Sequence, residues 1–206
     1  MSRRTYFRTL HDAGLAAWFG GTLANAVALN PAAGEAGIAN RAGAVANVGW
    51  NRWTPVNAAA IGAHVAGSAG LLAADMRRVR GQRGAASVAL AQTALTAAAL
   101  GVTAYSRVLG RKVAERTDVP VASGVEPAPT TPDDVAAAQR QLRMLQWAVP
   151  TVTGAVVAVS AFADEQQHAT RARQGALARL LGSVPALSPA TSLSRLSHLA
   201  GRLARR

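Results

Sequence analysis

Four histidines, His11, His64, His168 and His198, are the residues of this sequence best suited to chemistry, because the chain contains no cysteine. Imidazole binds metals and haem iron, and it gains or loses a proton near neutral pH. The absence of cysteine excludes disulfides and thiolate metal sites. No HExxH pair, P-loop, dinucleotide fingerprint or nucleophile elbow accompanies the histidines. The sequence therefore gives no indication of a zinc hydrolase or a nucleotide-binding enzyme.

His64 has the most informative position of the four. It lies inside a segment without charges, eleven residues before Asp75, a separation of about 16 Å along a helix. An ionisable side chain near the centre of a membrane is costly and marks a candidate functional site. One interpretation is a neutral His64 that forms a hydrogen bond with Asn25 or Gln92 inside a helix bundle. The other is a cofactor site in which His64 binds haem, copper or another metal.

A cofactor at His64 requires a second ligand, because a haem held by two histidines needs both at a similar depth. The sequence places His11, His168 and His198 on the cytoplasmic side instead. Residues predicted to gather at the inner ends of the spans are His11, Asp12, Asp75, Asp164, Glu165 and His168. Two interpretations of this cluster stay open. It relays protons or binds a cation, or its acids pair with nearby arginines in the headgroup zone.

The elements that must position these residues are four segments without Asp, Glu, Lys or Arg. They cover residues 13–34, 53–74, 84–106 and 144–163. Each contains at least 20 residues, enough for a helix to cross a hydrocarbon core of about 30 Å. The sequence therefore predicts an all-α integral membrane protein, a four-helix bundle with spans at about 11–30, 54–75, 84–106 and 143–164.

The four segments are rich in alanine and glycine rather than leucine, so each is only marginally apolar. The alternative is a soluble, alanine-rich four-helix bundle. Soluble bundles carry a polar stripe along every helix, and segments without charged residues lack such a stripe. This absence favours the membrane.

Arginine is distributed unevenly among the predicted loops, and short loops rich in Arg and Lys stay in the cytoplasm. Three arginines lie among the first eight residues, four lie between residues 77 and 83, and the tail from residue 169 is strongly basic. These segments share one side of the membrane only if there are four spans. We therefore expect a multi-pass protein of the inner (plasma) membrane with both termini in the cytoplasm.

The first residues also resemble a twin-arginine export signal, because Arg3-Arg4 precedes an apolar segment. Cleavage after such a signal would leave three spans. We favour an uncleaved anchor, since His11 and Asp12 interrupt the start of the apolar segment.

Two regions outside the spans differ in composition from the rest. Residues 109–141 contain several prolines and form a predicted external loop. The tail, residues 169–206, is basic, and its leucines at 193, 196, 199 and 203 share one helical face. An amphipathic helix of this kind binds anionic lipids of the inner leaflet; a tail without stable structure is the alternative. Nucleic-acid binding is not indicated, because the topology already accounts for the arginines.

Small residues recur every fourth position in two spans, at Gly62, Ala66 and Gly70 and again at Ala97 and Gly101. Such ridges let helices approach closely. They predict a compact bundle with little room for a wide pore, and they allow packing against another membrane protein or a second copy of the chain.

The start of the first span carries a family resemblance. Leu10-His11 followed by Gly14 and by Trp18-Phe-Gly-Gly21 resembles the first helix of several bacterial membrane families with four to eight helices. These include the copper-resistance D family, small uncharacterised four-helix families and the haem-binding protoporphyrinogen oxidase family. The resemblance implies a helical membrane fold and makes His11 a candidate metal or haem ligand. We take it as an indication of the fold.

Two functional hypotheses follow from the sequence. The first is a small accessory or scaffold subunit that catalyses no reaction, needs no cofactor and packs against other membrane helices. The second is a haem-, copper- or proton-handling transporter or redox protein that uses His64 or His11. Bound metal or a visible absorbance band in the purified protein distinguishes them.

Overall fold

The computed structural model describes residues 2–37, 39–81, 83–116 and 118–182, and the regular elements in these ranges are helical. The elements in chain order are α1 (Arg3–Ala24), a π-helical turn (Asn25–Leu29), α2 (Asn30–Gly34), α3 (Ala39–Gly81), α4 (Arg83–Ala114) and α5 (Asp133–Gly182). The prediction of an all-α chain is confirmed.

Three of the described helices are long and apolar enough to cross a membrane. The qualifying segments are Arg41–Met76 in α3, Gly84–Ala114 in α4 and Asp133–Gln167 in α5. The first predicted span falls in α1 and the π-helical turn. It is not among the three, and Arg8 and Asp12 lie within α1.

The helices extend well beyond the predicted spans. α3 begins at Ala39 rather than near residue 54, so the first predicted loop is largely helical. α5 begins at Asp133, directly after Pro132, and continues through Pro150. Alanine has the highest helix propensity, which explains why these alanine-rich stretches stay helical on both sides of their apolar centres.

α1 packs antiparallel against α3. At one end Arg4 Nη2 lies 2.9 Å from Asp75 Oδ2, and at the other the ring of Trp53 covers Gly21. Trp18 is fully buried in a core cluster with Ala60 and Ala99. α1, α3 and α4 therefore share one core, and the antiparallel pairing fixes which residues of α1 and α3 face each other.

Residues 118–132 fold against the helices rather than extending away from them. Val121 and Val125 are buried, and Val121 forms an isolated bridge with Pro127. The Thr131 hydroxyl accepts a hydrogen bond from the Ala128 amide at 2.8 Å and donates to the Pro120 carbonyl at 2.5 Å. Side-chain and backbone bonds thus hold this segment in one conformation.

The chain divides into two compact units, Met1–Ala163 and Asp164–Arg206. The described part of the second unit is the helical stretch that ends at Gly182. The tail leucines from residue 193 onward, and His198, lie outside the described residues.

Candidate functional site

Two glycines let α1 and α3 approach each other unusually closely. A Cβ at Gly14 would lie 2.5 Å from both the Ala60 carbonyl oxygen and the His64 amide nitrogen. A Cβ at Gly67 would overlap the backbone of His11. Real Cβ atoms do not approach backbone atoms so closely, and only glycine, which lacks a Cβ, permits this packing. The two backbones are therefore in direct contact at the level of the histidines.

This close packing brings His11 and His64 together. Their ring centroids lie 4.6 Å apart with an angle of 48° between the planes. His64 is completely buried and His11 is 6% exposed. The indole of Trp18, itself fully buried, lies 6.0 Å from the His64 ring. Three aromatic side chains from two helices thus form one cluster in the core.

The hydrogen bonds of His64 differ from those that the sequence predicts. His64 Nε2 lies 3.2 Å from Thr96 Oγ1, and Nδ1 lies 3.5 Å from the His11 carbonyl oxygen. With its proton on Nδ1, the ring donates to the carbonyl and accepts from the hydroxyl. The predicted partners were wrong: Asn25 Nδ2 donates to the Gly21 carbonyl, and Gln92 Nε2 donates to Ser160 Oγ.

The prediction that His11 and His64 lie at different levels was also wrong. The sequence places His11 at the inner end of the first span and His64 near the middle of the second. Helix α1, however, enters its contact with α3 at Arg4, and seven residues later His11 lies against Gly67, one turn from His64. The side chain of Asp12, the next residue, is half exposed. The two histidines therefore lie at a similar level.

A row of polar groups connects the exposed side of α1 to the buried cluster. Arg8 Nε donates to Asp12 Oδ2 at 3.1 Å, and Asp12 Oδ1 lies 2.8 Å from His11 Nδ1. His11 in turn contacts His64, which bonds to Thr96. The two imidazoles meet by ring contact only, because both nitrogens of His64 have other partners, the His11 carbonyl and Thr96.

The two imidazole rings lie too close together to hold a haem between them. A metal–imidazole bond is about 2 Å long, so a haem iron between two histidines separates the rings further than 4.6 Å, and a porphyrin needs space beside them as well. The backbone contacts at Gly14 and Gly67 leave no such space. In the described part of the chain, no group of three His, Asp or Glu side chains is arranged to hold a metal ion.

The other predicted polar residues do not join one cluster in the first unit. Asn25 lies in the π-helical turn, Gln92 bonds across to α5, and Asp75 pairs with Arg4. Asp164 and Glu165 belong to the second unit. The side chain of His168 lies outside what the structure describes.

Sequence reasoning missed a second polar site, centred on Asn30. This side chain is 1% exposed, accepts from Trp50 Nε1 at 3.1 Å and donates to Gln146 Oε1 at 2.9 Å. Its backbone carbonyl accepts from the Gly124 amide at 3.3 Å. Asn30 thus has partners on three segments. In the sequence, only the position of this Asn before Pro31, near the end of a charge-free segment, could have indicated the site, and that indication is weak.

Comparison with known proteins gives no relative. No family model, no curated protein and no solved structure matches the chain.

Proposed function

We propose that this chain is a four-span integral membrane protein with both termini in the cytoplasm, acting as an accessory or scaffold subunit rather than as an enzyme. The observation that carries the proposal is the surface of α4. Only 6% of the residues in its most apolar 18-residue window are buried, although this helix is one of the three suited to a membrane. An apolar surface of this kind requires lipid or another protein.

The type of residue on that surface favours a protein. Exposed positions on α4 recur at alternating spacings of three and four, the period of a helix–helix seam. They are Leu90, Ala94, Ala97, Gly101, Ala104 and Val108. Alanine and glycine gain little from contact with lipid, whereas they let a second helix approach closely. A Cβ at Gly101 would meet nothing within 4 Å, so this position is open to a partner.

The proposed topology accounts for the placement of charge. The chain carries a formal net charge of +12. Its arginine-rich segments share the cytoplasmic side if α1 crosses the membrane in addition to α3, α4 and α5. On that side the basic tail binds anionic lipids of a bacterial inner membrane. The occupant of the α4 face is another membrane protein or a second copy of this chain.

Purification of the tagged full-length protein from its native membrane in mild detergent tests this function. We expect mass spectrometry to find a stoichiometric partner, or chemical cross-linking to find a second copy. Gly101→Leu, which places a bulky side chain in the open part of the α4 face, should abolish the association. Gly84→Leu, at the exposed start of the same helix, should preserve it. A monodisperse monomer without a partner would contradict the proposal.

The contact between His11 and His64 favours a second candidate, a protein that moves protons. Asp12 bonds to the His11 ring, and the adjacent His64 ring bonds to Thr96. A rotation that brings one nitrogen of each ring into a hydrogen bond would let a proton pass between surface and core. Reconstituted vesicles with a pH-sensitive dye would then show a proton flux that His64→Gln removes and Thr93→Val leaves intact. A flux equal to that of empty vesicles rules this candidate out.

A further inference from the structure

Beside the Asn30 network lies a cavity that takes no part in helix–helix association or in proton transfer at the histidine pair. Its volume is about 420 Å³, within the range of pockets that hold small molecules. One wall is the end of the helical stretch that includes Asn30 and Gly34, and the opposite wall is the folded segment that includes Ser123 and Glu126.

The walls of the cavity are held in place before any ligand enters. Gly124 donates its amide to the Asn30 carbonyl, and a Cβ at Gly124 would lie 2.8 Å from Asn30 Oδ1. A Cβ at Gly34 would lie 2.8 Å from the Ala122 carbonyl oxygen. Glycines on both sides therefore bring the helix end and the folded segment into direct contact. A preformed pocket binds without the cost of ordering its own walls.

The lining is acidic in a chain that is otherwise strongly basic. Among the residues that the structure describes, Glu35 and Glu126 line the cavity, and no lysine, arginine or histidine does. Glu35 has no ion-pair partner among the described residues, while Glu126 lies 3.4 Å from exposed Arg143. The carbonyls of Ala32 and Ala33 at the end of α2 already accept from the backbone amides of Glu35 and Ala36, so the two carboxylates are the charged groups of the lining. The cavity thus attracts a cation.

The geometry points to a primary ammonium group as the ligand of this cavity. An ammonium group offers three N–H donors, and the carboxylates of Glu35 and Glu126 in the lining can accept them. The volume fits an organic amine better than a bare metal ion, which requires several oxygens at about 2.0–2.6 Å around one point. In addition, the amide oxygens of Asn30 and Gln146 already accept hydrogen bonds within the protein.

Calorimetric titration of full-length protein in phosphatidylcholine nanodiscs with ethanolamine tests the assignment. We expect saturable binding that Glu35→Gln weakens about tenfold or more, the loss typical of a charged hydrogen bond. Glu115→Gln, which removes an exposed acid that does not line the cavity, should bind like the unmodified protein. Tetramethylammonium, a cation without N–H donors, should not bind.

The source of the amine is resolved by adding phosphatidylethanolamine to the nanodiscs. Competition with free ethanolamine identifies a lipid headgroup as the ligand, and lack of competition identifies a soluble amine. Both results support the proposal. Equal ethanolamine binding by the unmodified protein and Glu35→Gln overturns it, as does binding of Ca²⁺ or tetramethylammonium in place of ethanolamine, or no binding at all. An unchanged far-ultraviolet circular dichroism spectrum shows that Glu35→Gln folds.

Discussion

The imidazole ring of His64 lies 4.6 Å from that of His11, on a helix that runs in the opposite direction. Two glycines, Gly14 and Gly67, make this contact possible by removing the Cβ atoms that would separate the helices. The packing and the candidate site are therefore one feature. A change at either glycine alters the histidine pair as well as the stability.

Gly67→Ala should destabilise the protein. The added methyl group overlaps the backbone of His11, and overpacking of this kind costs about 1–3 kcal/mol. The matched control is Gly62→Ala on the same helix, where a Cβ meets nothing within 4 Å. That change should leave stability unchanged or raise it by up to about 1 kcal/mol, because alanine favours the helix. Unfolding in detergent, followed by circular dichroism, measures both. Equal effects of the two substitutions would argue against the close packing of α1 and α3.

Thr96→Val should cost about 0.5–1 kcal/mol, the range found for hydrogen bonds between membrane helices. It removes the hydroxyl that bonds to His64 Nε2 while keeping the side-chain shape. Thr93→Val on the same helix is the control, because Thr93 is exposed and bonds only to the Ala89 carbonyl. In a double-mutant cycle with His64→Leu, the cost of Thr96→Val should disappear. A cost that persists in the His64→Leu background would show that the two side chains do not interact.

Asn30→Ala should lower the free energy of unfolding by about 2–4 kcal/mol, since it leaves the indole N–H of Trp50 and the Gln146 amide without partners. Tryptophan fluorescence should shift as the environment of Trp50 changes. Asn51→Ala, at an exposed position of α3, is the control and should change neither quantity. If both variants unfold alike, the network around Asn30 does not contribute to stability.

The sequence predicted the helices better than their contacts. Charge-free segments identify apolar helices because a charged side chain inside a membrane is costly whatever the rest of the fold does. Three of the four predicted spans fall in helices suited to a membrane. The partners of His64 depend instead on the register between α1 and α3. Glycine at positions 14 and 67 sets that register, and the small-residue pattern alone does not show which ridge is used. Gly67 and Gly70 pack against α1, whereas Gly62 stays open.

The Asn30 site shows a second limit of sequence reasoning. Its partners come from α3, α5 and residues 118–132, regions separated by up to 116 positions along the chain. The hydrophobic pattern within one segment does not predict which distant segments will contact it. The proline-containing segment, moreover, carries no hydrophobic pattern that predicts its fold, although Val121 and Val125 anchor it.

Cysteine labelling in intact cells tests the four-span topology, on which the proposed function depends. The chain has no cysteine, so single substitutions at exposed sites report their side without background. Exposed sites suited to this purpose are Ser2, Arg41, Gly81, Thr130 and Arg173.

A membrane-impermeant maleimide should label Arg41→Cys and Thr130→Cys directly. Ser2→Cys, Gly81→Cys and Arg173→Cys should react only after the membrane is permeabilised. Labelling of Ser2→Cys from the same side as Arg41→Cys would show that α1 does not cross the membrane, which would rule out the four-span topology.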